Sequence, residues 1–524
     1  MSAAAPPTTT QPPPAATPPP QPTARTDVTT YKNDQSRSGQ NLSESVLTLS
    51  NVTSSSFGLL RMLQVDGRVD AQPLYLSQLN IGGGTSNTVF VATEHDSVYA
   101  FDSDSGKVLW HVSLLPTGEN PSDNRGCSQV TPEIGVTSTP VIDRSAGAHG
   151  TIYVVAMSVD AQSNYHQRLH ALDITTGAEL LTGPTEIAAS YPSTGNAVSS
   201  FDAQSYQERA ALLVLNGTIY TSWASHCDIT PYGGWIISFS QSTLARNGAL
   251  NLGPGGSTGP AIWMSGGGPA ADSSGNIYLL SANGPFETTL DANGFPGNRD
   301  FGNSFLKISN ASAGSTVLDY FTMSNEVAES NADQDLGSGG EMLFPDLTDS
   351  SNTVRHLMVG AGKDGNIYVV DRDSMSKFSP TANNNYQTLN GALPGGIFST
   401  PAYFNGTVYY GDVAGSLKAF TISSAKLAGT PQSQSATQFT YPGTAPSVSA
   451  NGTSNGIVWA HENTSPAVLH AYDAANLAHE LYNSDQASGG RDQFGAGNKF
   501  ITPMVADGKV FVGTTNAVAV FGLR

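Results

Sequence analysis

Ser399-Thr400-Pro401-Ala402-Tyr403-Phe404, then Asn405-Gly406, then Thr407 to Gly411, then Asp412 to Gly415, then Ser416 to Phe420 read as strand, turn, strand, loop and strand. The reasons are local. Asn-Gly between two apolar runs is the strongest short hairpin signal, because both residues tolerate the positive φ that a tight turn demands. Val and Tyr in alternation suit a pleated surface with two faces. The pattern recurs outward in both directions. Gln72-Pro73-Leu74-Tyr75 leads through Val89 to Thr93 and Val98 to Asp102, then after Gly106 into Lys107-Val108-Leu109-Trp110, a fourth strand. Further copies begin near Thr139-Pro140, Ala210, Gly268-Pro269, Gly340, Pro446 and Thr502-Pro503. Third strands end on an aspartate, as at Asp102, Asp173 and Asp473, a structural position at a strand terminus.

Three or four short strands repeating every ~40–70 residues are the mark of propeller blades. One blade has two apolar faces and cannot bury them alone, so the blades must close into a ring. The copies count to eight, or to seven if one degenerate copy is misread. The last copy stops after Val518 to Phe521, its third strand, while Phe57 to Val65 forms an orphan strand near the start. Pairing the two would complete the last blade and remove the exposed edges. The expectation is an all-β propeller over 27–524, closed by its N-terminal strand.

Composition agrees. The 524 residues include 55 Gly and 31 Pro, and only 12% are charged, which fits short strands and tight turns rather than long helices. The net charge of −19 repels phosphate backbones, so nucleic acid is not an expected partner. No stretch approaches the length of a membrane span. Residues 1–26 are dominated by Pro, Ala, Thr and Gln, a linker that cannot bury apolar surface. Such stems tether exported domains, so an extracellular, cell-surface or periplasmic monomer is expected, with any signal or anchor lost before Met1.

In a propeller the loops between second and third strands share one end of the channel with those entering the first strand. Here they carry the uncommon polar residues, and loops on a rigid scaffold hold binding groups. Between second and third strands lie Glu94-His95-Asp96, His226-Cys227-Asp228, Asn283, Lys363-Asp364, Asp412 and His461-Glu462. Entering first strands lie Glu133, Asp335, Glu341, Arg491 and Lys499. His95 and His226 each have carboxylates within two residues. Cys127 and Cys227 fall at the same end and are expected to pair as a disulfide clamping two loops, a free thiol being the alternative. No HExxH, Walker loop or GxSxG elbow is present.

Gly360 to Arg372, Ile277 to Gly284 and Ala332-Asp333-Gln334-Asp335-Leu336 are similar to segments of the pyrroloquinoline-quinone-repeat propellers, which include quinoprotein alcohol dehydrogenases and noncatalytic scaffolds. The resemblance implies that Lys363 contacts the quinone, that Asn283 binds calcium, and that Asp335 is the catalytic base. It makes Trp263 the nearest match to the ring beneath the quinone, with His226 and Asp228 standing near the remaining calcium ligand. The family's vicinal cysteines are missing, and Glu94-His95-Asp96 occupies their loop.

Three functions follow. The first is an exported binding or scaffold module for a saccharide, peptide or surface partner. The second is a quinone- and calcium-dependent oxidoreductase acting on alcohols or sugars, which needs Asn283, Asp335 and Lys363 in one cavity. The third is a lyase or hydrolase using His95, His226 and Glu341 at the channel mouth.

Overall fold

The computed structural model describes residues 1, 27–193, 197–254, 258–310 and 315–524. Apart from Met1, the linker read at 1–26 lies outside the described residues. The ring has eight blades. In the first blade the strands Leu74–Ile81, Gly84–Ala92, Ser97–Asp102 and Val108–Ser113 pair antiparallel from the channel outward. The sixth, the clearest in sequence, runs through Ala402–Phe404, Thr407–Gly411, Gly415–Ser423 and Ser433–Phe439. Asn405 and Gly406 both take positive φ in its first turn, at 45° and 79°.

The eighth blade closes the ring. Met504–Ala506, Lys509–Gly513 and Ala517–Leu523 are completed by Phe57–Gln64, with Phe57 opposite Leu523 and Gln64 opposite Ala517. Packing between blades seven and eight explains why the orphan strand belongs there. Phe57 lies 5.4 Å from the Trp459 ring and 5.0 Å from Tyr482, among buried Val510, Val512 and Phe521. Each such side chain removed from water contributes ~1.5–3 kcal/mol. Arg491 latches this strand. It donates to Asp492 Oδ1 at 2.8 Å and to the Ser54 and Phe57 carbonyls at 3.0 and 3.1 Å. The sequence set Arg491 at the channel mouth, but its charge is spent on closing the ring.

Residues 27–44 form an arm along the inner edges of the blades. Val28 pairs with Tyr75. The amides of Ile142, Ala271, Leu343, Tyr403 and Val448 then donate in turn to the carbonyls of Thr29, Gln35, Ser36, Ser38 and Gly39, at 2.8–2.9 Å. Gln35 Nε2 donates to Val214 O, and Asn41 Nδ2 to Val505 O, both at 2.9 Å. The arm therefore touches the innermost strand of every blade. These strands would otherwise present unpaired backbone groups to the channel.

Two cations anchor the arm. Arg37 is fully buried and donates to Thr30 Oγ1 at 2.7 Å and to Pro269 O at 2.8 Å. Lys32, also fully buried, donates its Nζ to Pro446 O. Glu341 belongs to this end of the fold. It is buried, accepts from the Ala270 amide at 3.0 Å and feels the Arg37 charge, and burial lifts its pKa to about 8. Expected at an open mouth, it is a packed group beside the arm. The arm shares its end of the channel with first-to-second-strand turns such as Asn216-Gly217, opposite the mouth loops.

Candidate functional site

At the other end, loops from every blade except the first enclose a cavity of about 240 Å3. Gln129, Cys227, Asp228, Trp263, Ser265, Asp333, Asp335, Ser338, Lys363, Phe398, Tyr441 and Phe500 line it. Most come from the loops entering first strands. Cys227, Asp228 and Lys363 come from loops between second and third strands.

The polar wall is built around Lys363. Its Nζ donates to Asp333 Oδ1 at 3.0 Å and forms an ion pair with Asp335. The Asn283 amide donates to Asp335 Oδ1 at 2.8 Å, and Asn283 Nδ2 to Asp333 Oδ1 at 3.0 Å. The three expected residues do not line one cavity, because Asn283 itself lines the neighbouring one, with Glu287, Asp300 and Glu326. Asn283 and Lys363 nonetheless share Asp333 and Asp335 as partners. A glycine makes this possible. A Cβ on Gly362 would stand 2.3 Å from Asp335 O and 2.5 Å from Leu336 Cα. Without that methyl the entry loop of the fifth blade lies on the end of the blade's own second strand, and the Lys363 amide donates to Asp335 O at 2.8 Å. Upstream, the short helix α1 (Glu326–Asn331) delivers the chain to Asp333.

Burial raises the Asp335 pKa although Lys363 opposes the shift. Burial works against the charge on Lys363 too, but Asp335 and Asp333 outweigh it and hold the ammonium above its ordinary pKa. Lys363 is therefore a fixed cation.

A disulfide joins Cys127 to Cys227 across two blades, with Cα atoms 5.5 Å apart. Cys227 and Asp228 both have positive φ, at 48° and 56°, and Ser225 Oγ donates to Asp228 Oδ1 at 3.0 Å. The turn and the disulfide together hold Asp228 on the wall. Trp263 shares the cavity with them.

The remaining candidates do not join this cavity. His226 is buried behind the disulfide loop, with neither ring nitrogen hydrogen-bonded, and burial with the Arg125 charge drops its pKa to about 4. Glu94 is fully buried. Its Oε2 accepts from the Gly135 amide at 2.8 Å and Thr137 Oγ1 at 3.0 Å, and burial beside Asp70 raises its pKa. His95 Nδ1 meets Glu133 Oε1 at 3.0 Å. Glu462 meets His470 Nε2 at 2.8 Å, with Glu480 on the other ring nitrogen at 2.6 Å. His95, His226 and Glu341 thus line no common cavity, as a lyase or hydrolase site would require.

Gln129, Asp333, Phe398, Tyr441 and Phe500 were not singled out in the sequence. Asp333 lies two residues from Asp335. Phe398 and Phe500 each stand three residues before the proline that opens their inner strand, Pro401 and Pro503, so aligned repeats carry a signal for them.

No family model matches the sequence, and neither does any curated protein. Solved structures do match. A quinohemoprotein alcohol dehydrogenase from Comamonas testosteroni superposes with a TM-score of 0.61 at 14% identity, over 95% of this chain and 80% of that one. One from Pseudomonas putida HK5 gives 0.61 at 13%, with the same coverage. A europium-containing methanol dehydrogenase gives 0.57 at 13%, covering 95% of this chain and 98% of that one. This chain has the quinoprotein propeller fold. Identity at this level speaks for the fold alone.

The residues fit the quinone cofactor less well than the fold does. Pyrroloquinoline quinone is a tricarboxylate, and this cavity sets Asp228, Asp333 and Asp335 against Lys363. Among the described residues no three His, Cys, Asp or Glu side chains are grouped to hold a metal ion. The calcium–quinone pair does not fit this wall.

Proposed function

We propose that the protein is an exported binding module that takes a small ligand into the mouth cavity. The observation that carries this reading is the convergence of seven blades on one cavity with a fixed cation, three carboxylates and an indole in its wall. The arm at 27–44 supports it, because it is bonded to the inner strands at the opposite end of the channel and leaves the mouth loops uncovered by it. The Cys127–Cys227 disulfide supports folding in an oxidising compartment. The test is tryptophan fluorescence of the full chain titrated with panels of sugars, amino acids, amines and carboxylates. A saturable response that Trp263→Phe abolishes and Lys363→Ala shifts in affinity, with the fold intact, is expected. A response untouched by both would place binding elsewhere.

One observation favours a quinoprotein oxidoreductase as the second reading: Asp335 and Lys363 pair within one cavity, and Asn283 reaches Asp335 from the neighbouring one. The charge of the cavity opposes it. Titration with pyrroloquinoline quinone and calcium, read by cofactor absorbance and dye-coupled alcohol oxidation, separates the two. No binding is expected, and calcium-dependent turnover lost in Lys363→Ala would reverse the order of the readings.

A further inference from the structure

We infer that the ligand of the mouth cavity is a small organic cation, a methylated ammonium or an amine. The inference rests on the cavity being the binding site and names the chemistry it selects. Three features of the wall carry it.

The first is charge. Lys363 is committed to Asp333 and Asp335. Asp228 lines the same cavity, accepts from Ser225 Oγ and, among the described residues, forms no ion pair. The side of the lining formed by these loops therefore holds three carboxylates and one ammonium, an acidic face that attracts a cation, while Lys499 and Arg209 stand against Tyr441 and Phe500 on the aromatic side.

The second is the aromatic corner. Phe398 and Tyr441 stand with ring centroids 5.4 Å apart and planes at 71°, and Tyr441 and Phe500 with centroids 6.4 Å apart at 82°. Trp263 adds a fourth ring to the lining. Rings set at steep angles to one another offer both faces and edges to a guest, and a face within about 6 Å attracts a cation. These rings already draw the protein's own cations. The Arg209 guanidinium lies 4.7 Å from the Phe500 centroid, and the Lys499 ammonium 5.9 Å from that of Tyr441.

The third is size and hydrogen-bonding balance. At about 240 Å3 the cavity lies below the roughly 300–1,000 Å3 of drug-sized sites, so the ligand is small. Its charged lining is rich in acceptors, and its lysine donors are already used. A cation supplies the positive charge that these carboxylates lack, and an amine supplies N–H donors as well.

Calorimetric titration of the full chain with choline and with 3,3-dimethylbutan-1-ol tests this, because the two differ chiefly in charge. Choline is expected to bind about tenfold or more tightly than the neutral alcohol. Its affinity should fall as salt rises. Tyr441→Ala, at a ring 42% exposed and outside the packed core, should weaken choline about five- to tenfold. Equal affinity for the two probes, or no binding of choline or of n-butylamine, overturns the inference. Its failure is distinct from failure of the binding reading. A sugar or carboxylate that binds in a Lys363-dependent way would leave the cavity as the site and remove only the cation.

Discussion

Replacing Lys32 by Met tests whether the arm is seated as described, because this ammonium is the most costly charge in it. Burial lowers the Lys32 pKa from 10.5 to about 7. At about 1.4 kcal/mol per unit, that shift corresponds to ~4–5 kcal/mol. The sign follows from proton uptake. An unfolded chain holds the Lys32 proton up to pH 10.5, whereas the folded chain releases it near pH 7, so unfolding binds a proton between those values. The cost of burial is therefore full below pH 7, shrinks as pH rises and is gone above pH 10.5. Met removes the charge but leaves Pro446 O without its donor, at ~1–3 kcal/mol. The variant should be more stable than the parent by ~1–3 kcal/mol at pH 6–7. It should be less stable by a similar amount near pH 10. Urea unfolding of both proteins at the two pH values reads the difference directly, and effects of pH on other groups cancel in the comparison. A difference of one sign and size at both values would show that Lys32 is not buried as an isolated cation and that the arm does not fill the channel end.

Three other perturbations address the ring and its mouth. Breaking the disulfide in Cys127→Ser/Cys227→Ser opens a link across 100 residues, for which a loss of ~2–5 kcal/mol in urea unfolding is expected. The same variant should bind its ligand more weakly, since Cys227 and Asp228 then lose their tie. Arg491→Ala strips the fully buried Asp492 of its two-pronged partner; a loss of ~1–3 kcal/mol is expected, with Lys a poor substitute, and ligand affinity should not change. Deleting residues 1–64 uncovers the outer edge of the eighth blade, and light scattering should detect association through it; a stable, monodisperse product would refute closure by Phe57–Gln64.

How much of this the sequence disclosed depends on what each element needs. Blades need alternation and turns. Asn405-Gly406 and the repeated apolar triplets state both openly, and the orphan strand at Phe57 was legible because the last copy lacked a partner. The arm at 27–44 needs neither. Its bonds run from carbonyls to the backbone of inner strands, which almost any sequence can make, and its only deep apolar contacts are Val28 and Tyr31. Nothing in its pattern separates it from a linker. At the mouth, repeat position told which end of the ring a residue occupies but not which way its side chain turns. That is why Glu341 and Arg491 were grouped with Lys363, although one packs against Arg37 and the other grips the closing strand. Repeat position placed Asn283, Asp335 and Lys363 at the mouth and the resemblance supplied only their roles, while Phe398, Tyr441 and Phe500 were hidden because an aromatic before a strand usually signals packing.

The contrast between backbone and cavity has a physical origin. A blade asks only that side chains alternate and that inner strands stay short, so the ring survives substitution of nearly every residue, as 14% identity to a superposable dehydrogenase illustrates. The mouth loops carry no such burden. Their ends are fixed by strands, and their side chains can be exchanged without moving the frame. One lysine held between two aspartates, with a third aspartate left over, is enough to turn a wall suited to an anion into one suited to a cation. If choline and its neutral analogue separate as expected, selectivity in this propeller comes from the charge count of four loop residues rather than from any change in the ring that positions them.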